Sequence, residues 1–481
     1  MNFCIKSIEK WVDFSSIFRS AYMKVNLRYV IGISLISALA GFLFGYDWVV
    51  IGGAKPFYER FFAITGMPGL QGLAMSSALI GCVGGAGVSG WIGSRLGRRG
   101  NLVIAAVLFL SSAVGTGATN SFFYFMAFRV LGGFGIGIAS ATAPIYIAEI
   151  APPAYRGRLV SLNQLNIVIG ILAAQIINYL IAKPVPEDAT DLIIQLSWNG
   201  QKGWRWMFWA EAVPSALFLG LLFFIPESPR WLAGVGRREK SMWILGMIGG
   251  EAYARSAWME IEKSVAEQHT VKGPRSLVAA KYRPVVFLGI ILAIFQQWCG
   301  INVVFNYAEE VFTAAGYQIS ELLFTIVVTG VVNLLFTYIA IRTVDRWGRR
   351  KLMMTGSAGL AILYLFLGLG YFLGMKGTPI LVVVVASIAL YAMTLAPVTW
   401  VVLSEIFPNR IRSTAMAAAT TMLWVASALL VVTFPYLNEG LKTSGTFWVY
   451  AGICLAGFLF IYRKLPETKG KTLEEIEINP E

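Results

Sequence analysis

The sequence predicts an all-α membrane protein of twelve transmembrane helices arranged as two six-helix bundles, with short helices in a central linker. Three observations predict it. Of 481 residues, 57% are hydrophobic and only 14% charged, with a mean hydropathy of +0.67, a balance that soluble domains of this size do not hold. Apolar runs long enough to cross hydrocarbon about 30 Å thick, at 1.5 Å per residue, occur twelve times. Short polar signatures recur in pairs offset by roughly half the chain, the mark of an internal repeat.

The runs are 29–53, 70–93, 101–119, 122–148, 159–182, 205–225, 284–312, 321–341, 352–374, 379–406, 413–437 and 446–462. The longest polar interruption, 226–283, contains Arg237, Arg238, Glu239 and Lys240 and a helical pattern at 251–268. The expected organisation is an N-terminal arm (1–28), a first bundle (29–225), a cytoplasmic linker (226–283), a second bundle (284–462) and a tail (463–481). Loops after odd-numbered spans carry few basic residues: Lys55, Arg60, Lys183, Lys202, Arg205, Lys376 and Lys442. Arg129 lies within a span, and the remaining Lys and Arg sit in the termini and in loops after even-numbered spans. Basic loops stay in the cytoplasm, so both termini and the linker are expected there, in a multi-pass protein of the cell membrane. The start of the chain has two readings. Met23, followed by Lys24 and Arg28, is a second candidate start; otherwise Trp11, Phe14 and Phe18 form an amphipathic arm on the membrane surface. A cleavable signal peptide is not indicated, because the first apolar run is too long for one.

Composition excludes several functions. The net charge of +13 is distributed between apolar runs, as topology requires, and does not form a nucleic-acid-binding stripe. Cys4, Cys82, Cys299 and Cys454 are far apart and show neither metal nor disulfide spacing. The one histidine, His269, lies in a polar loop. Neither a metal site nor a His-based catalytic triad is expected, and no cofactor is implied.

The repeat is seen at three places. Gly-Arg-Arg stands at 97–99 and again at 348–350. Glu149 precedes Pro152, Arg156 and Arg158, as Glu405 precedes Pro408, Arg410 and Arg412. Pro226-Glu227-Ser228 is matched by Pro466-Glu467-Thr468.

Two groups of polar residues interrupt the apolar runs. The first is 294–307, where Gln296, Gln297, Asn302 and Asn306 surround Gly300. Amides are costly in hydrocarbon and suit a neutral ligand rich in hydroxyls; holding neighbouring helices together is the simpler alternative. On a regular helix Asn302 lies about 140° around from Gln297. Either the cavity is broad or the helix breaks near Gly300. The second group is Asp47, Arg129 and Glu211, ionisable residues within spans, which are expected to pair. Phe44 and Asp47, three apart, share a helix face. A permanent structural ion pair is the alternative to a proton-exchanging site.

These motifs resemble the major facilitator superfamily, and within it the sugar porter family, over about 24–471. The resemblance rests on Gly45-Tyr46-Asp47, Arg129 with Gly132-Gly133, Pro144-Ile145-Tyr146-Ile147-Ala148-Glu149, Pro226-Glu227-Ser228-Pro229-Arg230-Trp231-Leu232, Gln296-Gln297 with Gly300-Ile301-Asn302, Asp345-Arg346-Trp347-Gly348-Arg349-Arg350, Ser404-Glu405-Ile406-Phe407-Pro408 and Pro466-Glu467-Thr468-Lys469-Gly470.

It implies import of a monosaccharide, a xylose-like pentose or hexose, with a proton by alternating access, in a monomer that carries out no covalent chemistry. Gln164, Gln296, Gln297, Asn302 and Asn333 would hydrogen-bond the sugar; Phe44, Trp400 and Trp424 would wall the pocket. Asp47 with Arg129 and Glu211 would couple the proton, since facilitative members tend to have asparagine at the Asp47 position. A cytoplasmic network of Arg95, Arg98, Arg99, Glu149, Arg156, Arg158 and Glu227, matched by Asp345, Arg349, Arg350, Glu405, Arg412 and Glu467, would clamp the two halves when the site faces outward. Glu211 is an alternative to Glu227 in that network. For Arg98 and Lys351, simple topological charge is the alternative reading.

The chain departs from the family's pattern at several positions. Ile171 stands where relatives carry a second fifth-span glutamine, Leu423 where close relatives have a glutamine before the eleventh-span tryptophan, Asn306 where tyrosine is commoner, and Ser94 where an acid is often found. A facilitative uniporter or a sugar sensor on the same scaffold is the alternative function.

Overall fold

The computed structural model describes residues 25–153, 155–186, 189–268, 281–408 and 411–467. Met23, His269 and most of the predicted arm and tail lie outside the described residues, as do the side chains of Asp345 and Arg412.

Among the described residues, ten continuous helical segments are long and apolar enough to cross a membrane. Two of them, Pro68–Ala118 and Arg412–Lys464, are each a pair of helices joined end to end, at Gly97 and at Lys442. Ten segments, two counted twice, give twelve spans. They are α1 (Leu27–Phe61), α2 (68–96), α3 (98–118), α4 (Phe122–Ile150), α5 (Arg156–Ile181), α6 (Asn199–Phe224), α7 (Arg283–Asn306), α8 (Ile319–Trp347), α9 (Arg349–Phe372), α10 (Thr378–Ile406), α11 (412–441) and α12 (443–464).

Local chemistry sets the ends. The Asn26 side chain accepts from the Tyr29 backbone N–H and starts α1. Prolines in the first turns of α2, α7 and α10 occupy positions that need no intrahelical donor. Gln318 and Glu321 form a capping box at the start of α8. Between α6 and α7 lie Pro229–Gly234 and Arg238–Gln268, the latter kinked at Gly249 and Gly250. The outward surface is apolar, with Phe123, Leu180, Phe224 and Phe366 exposed, as expected where the solvent is lipid.

Small residues let backbones approach closely. Gly45 of α1 abuts Ile167 of α5, and Gly170 of α5 abuts Phe42 of α1. This crossing fixes the heights of Phe44 and Asp47 against the fifth span.

Two spans are broken near mid-length. In α7, Gly300 takes φ +90° between Arg283–Trp298 and Ile301–Asn306, a left-handed conformation that glycine adopts without a Cβ penalty. In α10, Thr394 (φ −123°, ψ −87°) separates Thr378–Met393 from Leu395–Ile406, with Pro397 just beyond. Freed backbone groups are tolerated at membrane depth where protein or a cavity surrounds them.

The first six and last six helices meet closely at one end. There the carbonyls of Phe305 and Asn306 abut Gly52 of α1, and the hydroxyl of Tyr436 on α11 reaches Gly69 on α2. Lys55 of α1 bonds Glu309 and Glu310, in the short helix Ala308–Ala314 that follows α7.

Candidate functional site

The break in α7 resolves the 140° discrepancy. Asn302 Nδ2 donates to Gln297 Oε1 (2.5 Å), Gln297 Nε2 to Gln296 Oε1 (2.6 Å), and Gln296 Nε2 to the Tyr391 hydroxyl (2.7 Å). Asn306 Nδ2 donates to the Asn302 carbonyl (2.9 Å). A continuous hydrogen-bonded run thus crosses the α7 break and reaches α10 three residues before its own break. All four amide side chains are buried. Hydroxyl groups, which both donate and accept, are able to replace each bond in this run.

An aromatic cluster bridges the halves. The Trp424 ring of α11 lies 5.6 Å from Phe44 and 5.8 Å from Trp48, both on α1, and Phe44 lies 6.0 Å from Trp48. Trp424 is 2% exposed and its indole N–H is unpartnered. Trp400 is half-buried against the apolar core. Gln164 is half-buried on α5 and Asn333 buried on α8; neither joins the hydrogen-bonded amide run. Tyr391 and Trp48 were absent from the sequence-based set. Trp48, four residues after Phe44, was readable as the same face of α1. Tyr391 carried no signal before the fold brought α10 beside α7.

The charged group forms as expected within the first half. Arg129 Nη1 donates to Asp47 Oδ1, and Arg129 Nη2 to the Asp47 carbonyl at 3.1 Å. Glu211 is the second buried carboxyl beside Asp47, and Asp47 Oδ2 and Glu211 Oε1 have no hydrogen-bond partner. All three are at most 2% exposed. Two carboxyls and one guanidinium, sealed from water, leave one negative charge in excess.

The paired signatures at the opposite end from Lys55 build the same device twice. Gly97 (φ +83°) and Gly348 (φ +86°) turn the chain into α3 and α9, and a Cβ at either would meet the carboxylate of Glu227 or Glu467. Glu227 accepts from the backbone N–H groups of Arg98 (2.8 Å), Arg99 (3.1 Å) and Ser228 (2.8 Å); Glu467 accepts from that of Arg349 (2.9 Å). An acid there satisfies orphan donors and the helix dipole together. The Arg98 guanidinium grips both oxygens of Glu149 at 3.0 Å, and Arg349 bonds Glu405 at 3.0 Å. Arg99 donates to the Leu222 carbonyl ending α6 (2.9 Å), and Arg350 to the Tyr462 carbonyl ending α12 (2.5 Å).

Three expectations need correction. Arg95 is exposed and lies over the Trp91 ring at 4.2 Å, outside the network; Arg98, one turn on, makes the ion pair. Arg156 donates to the Ala148 carbonyl (3.0 Å) and forms no bond to Glu149, while Arg158 is exposed. Glu211 belongs with Asp47 and takes no part at this end.

Twelve helices in two repeated sets of six, with broken spans whose polar side chains converge on the interior, define a membrane transport protein. The chain belongs to the sugar transporter family: residues 33–479 match the family model described as "Sugar (and other) transporter". It is 38% identical to the D-xylose-proton symporter of Escherichia coli (strain K12), covering 94% of this chain and 96% of that protein. It is 36% identical to the arabinose-proton symporter of Bacillus subtilis (strain 168), over 94% and 95% of the respective chains. It also resembles the inward-open structure of the xylose transporter XylE from E. coli, with a TM-score of 0.81 and 38% identity, covering 94% of this chain and all of that one.

Proposed function

We propose that this protein imports a monosaccharide together with a proton by alternating access. The observation that carries it is the buried amide run across the α7 break, together with an aromatic cluster shared by both halves. Sugar hydroxyls replace the amide–amide bonds of Gln296, Gln297 and Asn302, and the C–H face of the ring packs against Trp400, Trp424 and Phe44. Gln164 and Asn333 take hydroxyls from the flanking helices once the halves rearrange.

Proton coupling follows from the charge count at Asp47. When the group is sealed, one proton bridges Asp47 and Glu211. When the site opens to water, Asp47 ionises and pairs with Arg129 alone. Movement of a proton is thereby tied to movement of the helices that hold it. The names of the xylose and arabinose relatives, both proton symporters, support this reading over the uniporter. The basic end faces the cytoplasm by the distribution of Lys and Arg, and the protein works as a monomer in the cell membrane.

The test is uptake by proteoliposomes under an imposed pH gradient. Asp47→Asn is expected to abolish accumulation against a sugar gradient, leaving at most equilibration, while sugar exchange across the membrane persists. Accumulation that still follows the pH gradient in this variant rules out Asp47 as the coupling group.

A further inference from the structure

Of the buried polar side chains in the spans, Gln175 of α5 stands out. It is 2% exposed, and neither its amide nitrogen nor its amide oxygen has a partner. Leaving buried donors and acceptors unpaired is costly, and a leucine would fill the same space without that cost. The neighbouring amide one turn on keeps one partner: Asn178 Nδ2 donates to the Val50 carbonyl at 3.0 Å, though its Oδ1 has none.

Position explains what Gln175 is for. Gln164, Ile171 and Gln175 are spaced i, i+7 and i+11, which places them within about 40° of one another on the helix. Gln175 therefore continues the stripe that begins at Gln164, about 6 Å beyond Ile171. Its amide oxygen occupies the notch left by the missing side chain of Gly330 on α8, one turn before Asn333. It thus lies between the halves, at a contact that must change when they rock.

Depth agrees with the α7 amides. Asn178 abuts Gly53, and the Asn306 carbonyl abuts the adjacent Gly52, so Asn178 and Asn306 stand at one level. Gln175, three residues before Asn178, stands about 4.5 Å below it, within the depth spanned by Asn302 and Asn306.

We propose that Gln175 is a sugar-binding, specificity-determining residue: it supplies from α5 the amide that Ile171 lacks, one turn nearer the Lys55 end, opposite Asn306. The structure has it parked without a partner against Gly330 while the halves are closed at that end. This inference rests on the monosaccharide-symport reading.

The test uses the purified full chain, wild type and Gln175→Leu, titrated with D-xylose, D-glucose, D-galactose, L-arabinose and L-fucose. For the tightest-binding sugar, the complete set of monodeoxy analogues follows. In Gln175→Leu the dissociation constant of the parent sugar is expected to rise at least tenfold. The penalty for removing one particular hydroxyl, large in the wild type, is expected to vanish, while penalties at the other hydroxyls persist. Each penalty is a ratio within one variant, so it is insensitive to a shift in stability or in the balance of inward and outward forms. Should Gln175→Leu fail to fold, Gln175→Asn is expected to shrink the same single penalty. Unchanged penalties at every hydroxyl, or an equal loss for the parent and all analogues, would overturn the inference while leaving sugar transport intact. A wild-type chain that binds none of the five sugars overturns the transport reading and this inference with it.

Discussion

The two ends of the molecule handle charge in opposite ways. At the arginine end, each half closes its own ring: Arg98 with Glu149 under the Glu227 cap, and Arg349 with Glu405 under the Glu467 cap. At the other end, one cluster is made jointly. Lys55, 2% exposed, lies 3.1 Å from Glu59 of its own helix and 3.2 and 2.7 Å from Glu309 and Glu310 of the second half. Arg60 adds bonds to Asp191 (2.8 Å) and Glu309 (3.3 Å), and Gln71 donates to Glu59 (2.8 Å). Bonds within a half can survive rocking of one half against the other. Bonds between halves must break and re-form on every cycle. The duplicated device therefore keeps each bundle intact, and the single Lys55 cluster holds this end shut.

Breaking the cluster has the largest expected effect. Lys55→Met leaves the buried Glu59 and the half-buried Glu309 and Glu310 crowded without their principal cation. Removing one partner of a buried ionic group costs about 3–5 kcal/mol, here charged against the closed form alone, since opening lets water solvate the acids. The balance should move toward the form open at the Lys55 end by two orders of magnitude or more. Hydrogen–deuterium exchange reads this directly: residues 52–60 and 308–314 are expected to lose protection, while 98–118 and 349–372 keep theirs. Wild-type protection at 308–314 would show that close packing between the halves, such as Tyr436 of α11 against Gly69 of α2, closes this end without help from charge.

The sequence made one of these ends readable and hid the other. Gly-Arg-Arg, the two glutamates and the two Pro-Glu motifs repeat, so their shared chemistry is visible as a pattern before any folding. The break at Gly300 was legible too, because the angle between Gln297 and Asn302 demanded either it or a broad cavity. Lys55 repeats nothing. Its partner Glu309 is 254 residues away, and a lysine at the end of an apolar run reads as an ordinary loop charge. Gln175 was silent for the same reason: the notch it fills is formed by Gly330, on a helix of the other half. Hydropathy fixes which segments span; contacts between distant spans decide which polar residue has a partner.

The duplicated end offers a sharper and smaller test. Glu227→Ala and Glu467→Ala each remove the acid that caps a helix start, at about 1–2 kcal/mol. Because the two caps perform the same task in separate halves, the losses should add within about 0.5 kcal/mol. Thermal unfolding in detergent is expected to show two similar drops in melting temperature and a double variant near their sum. A double variant no worse than either single would mean that the two rings act as one clamp, and the contrast between the ends would lose its basis.

The smallest effect separates two arginines that the sequence ranks together. Arg95 and Arg98 are three residues apart, but the turn at Gly97 sends them to different surroundings. Arg98 meets Glu149 through two bonds, and the second oxygen of that carboxylate also takes the Ser228 hydroxyl. Arg95 lies on the exposed Trp91 ring, a contact that contributes no more than about 1 kcal/mol in water-accessible surroundings. Arg95→Ala is expected to leave melting temperature and transport close to wild type. Arg98→Ala strips a half-buried carboxylate of its cation and should lower the melting temperature clearly more, with Arg349→Ala matching it in the second half. If Arg95→Ala proved the more damaging of the two, the exposed ring contact would be part of the working network and the pairing seen here only one of its states.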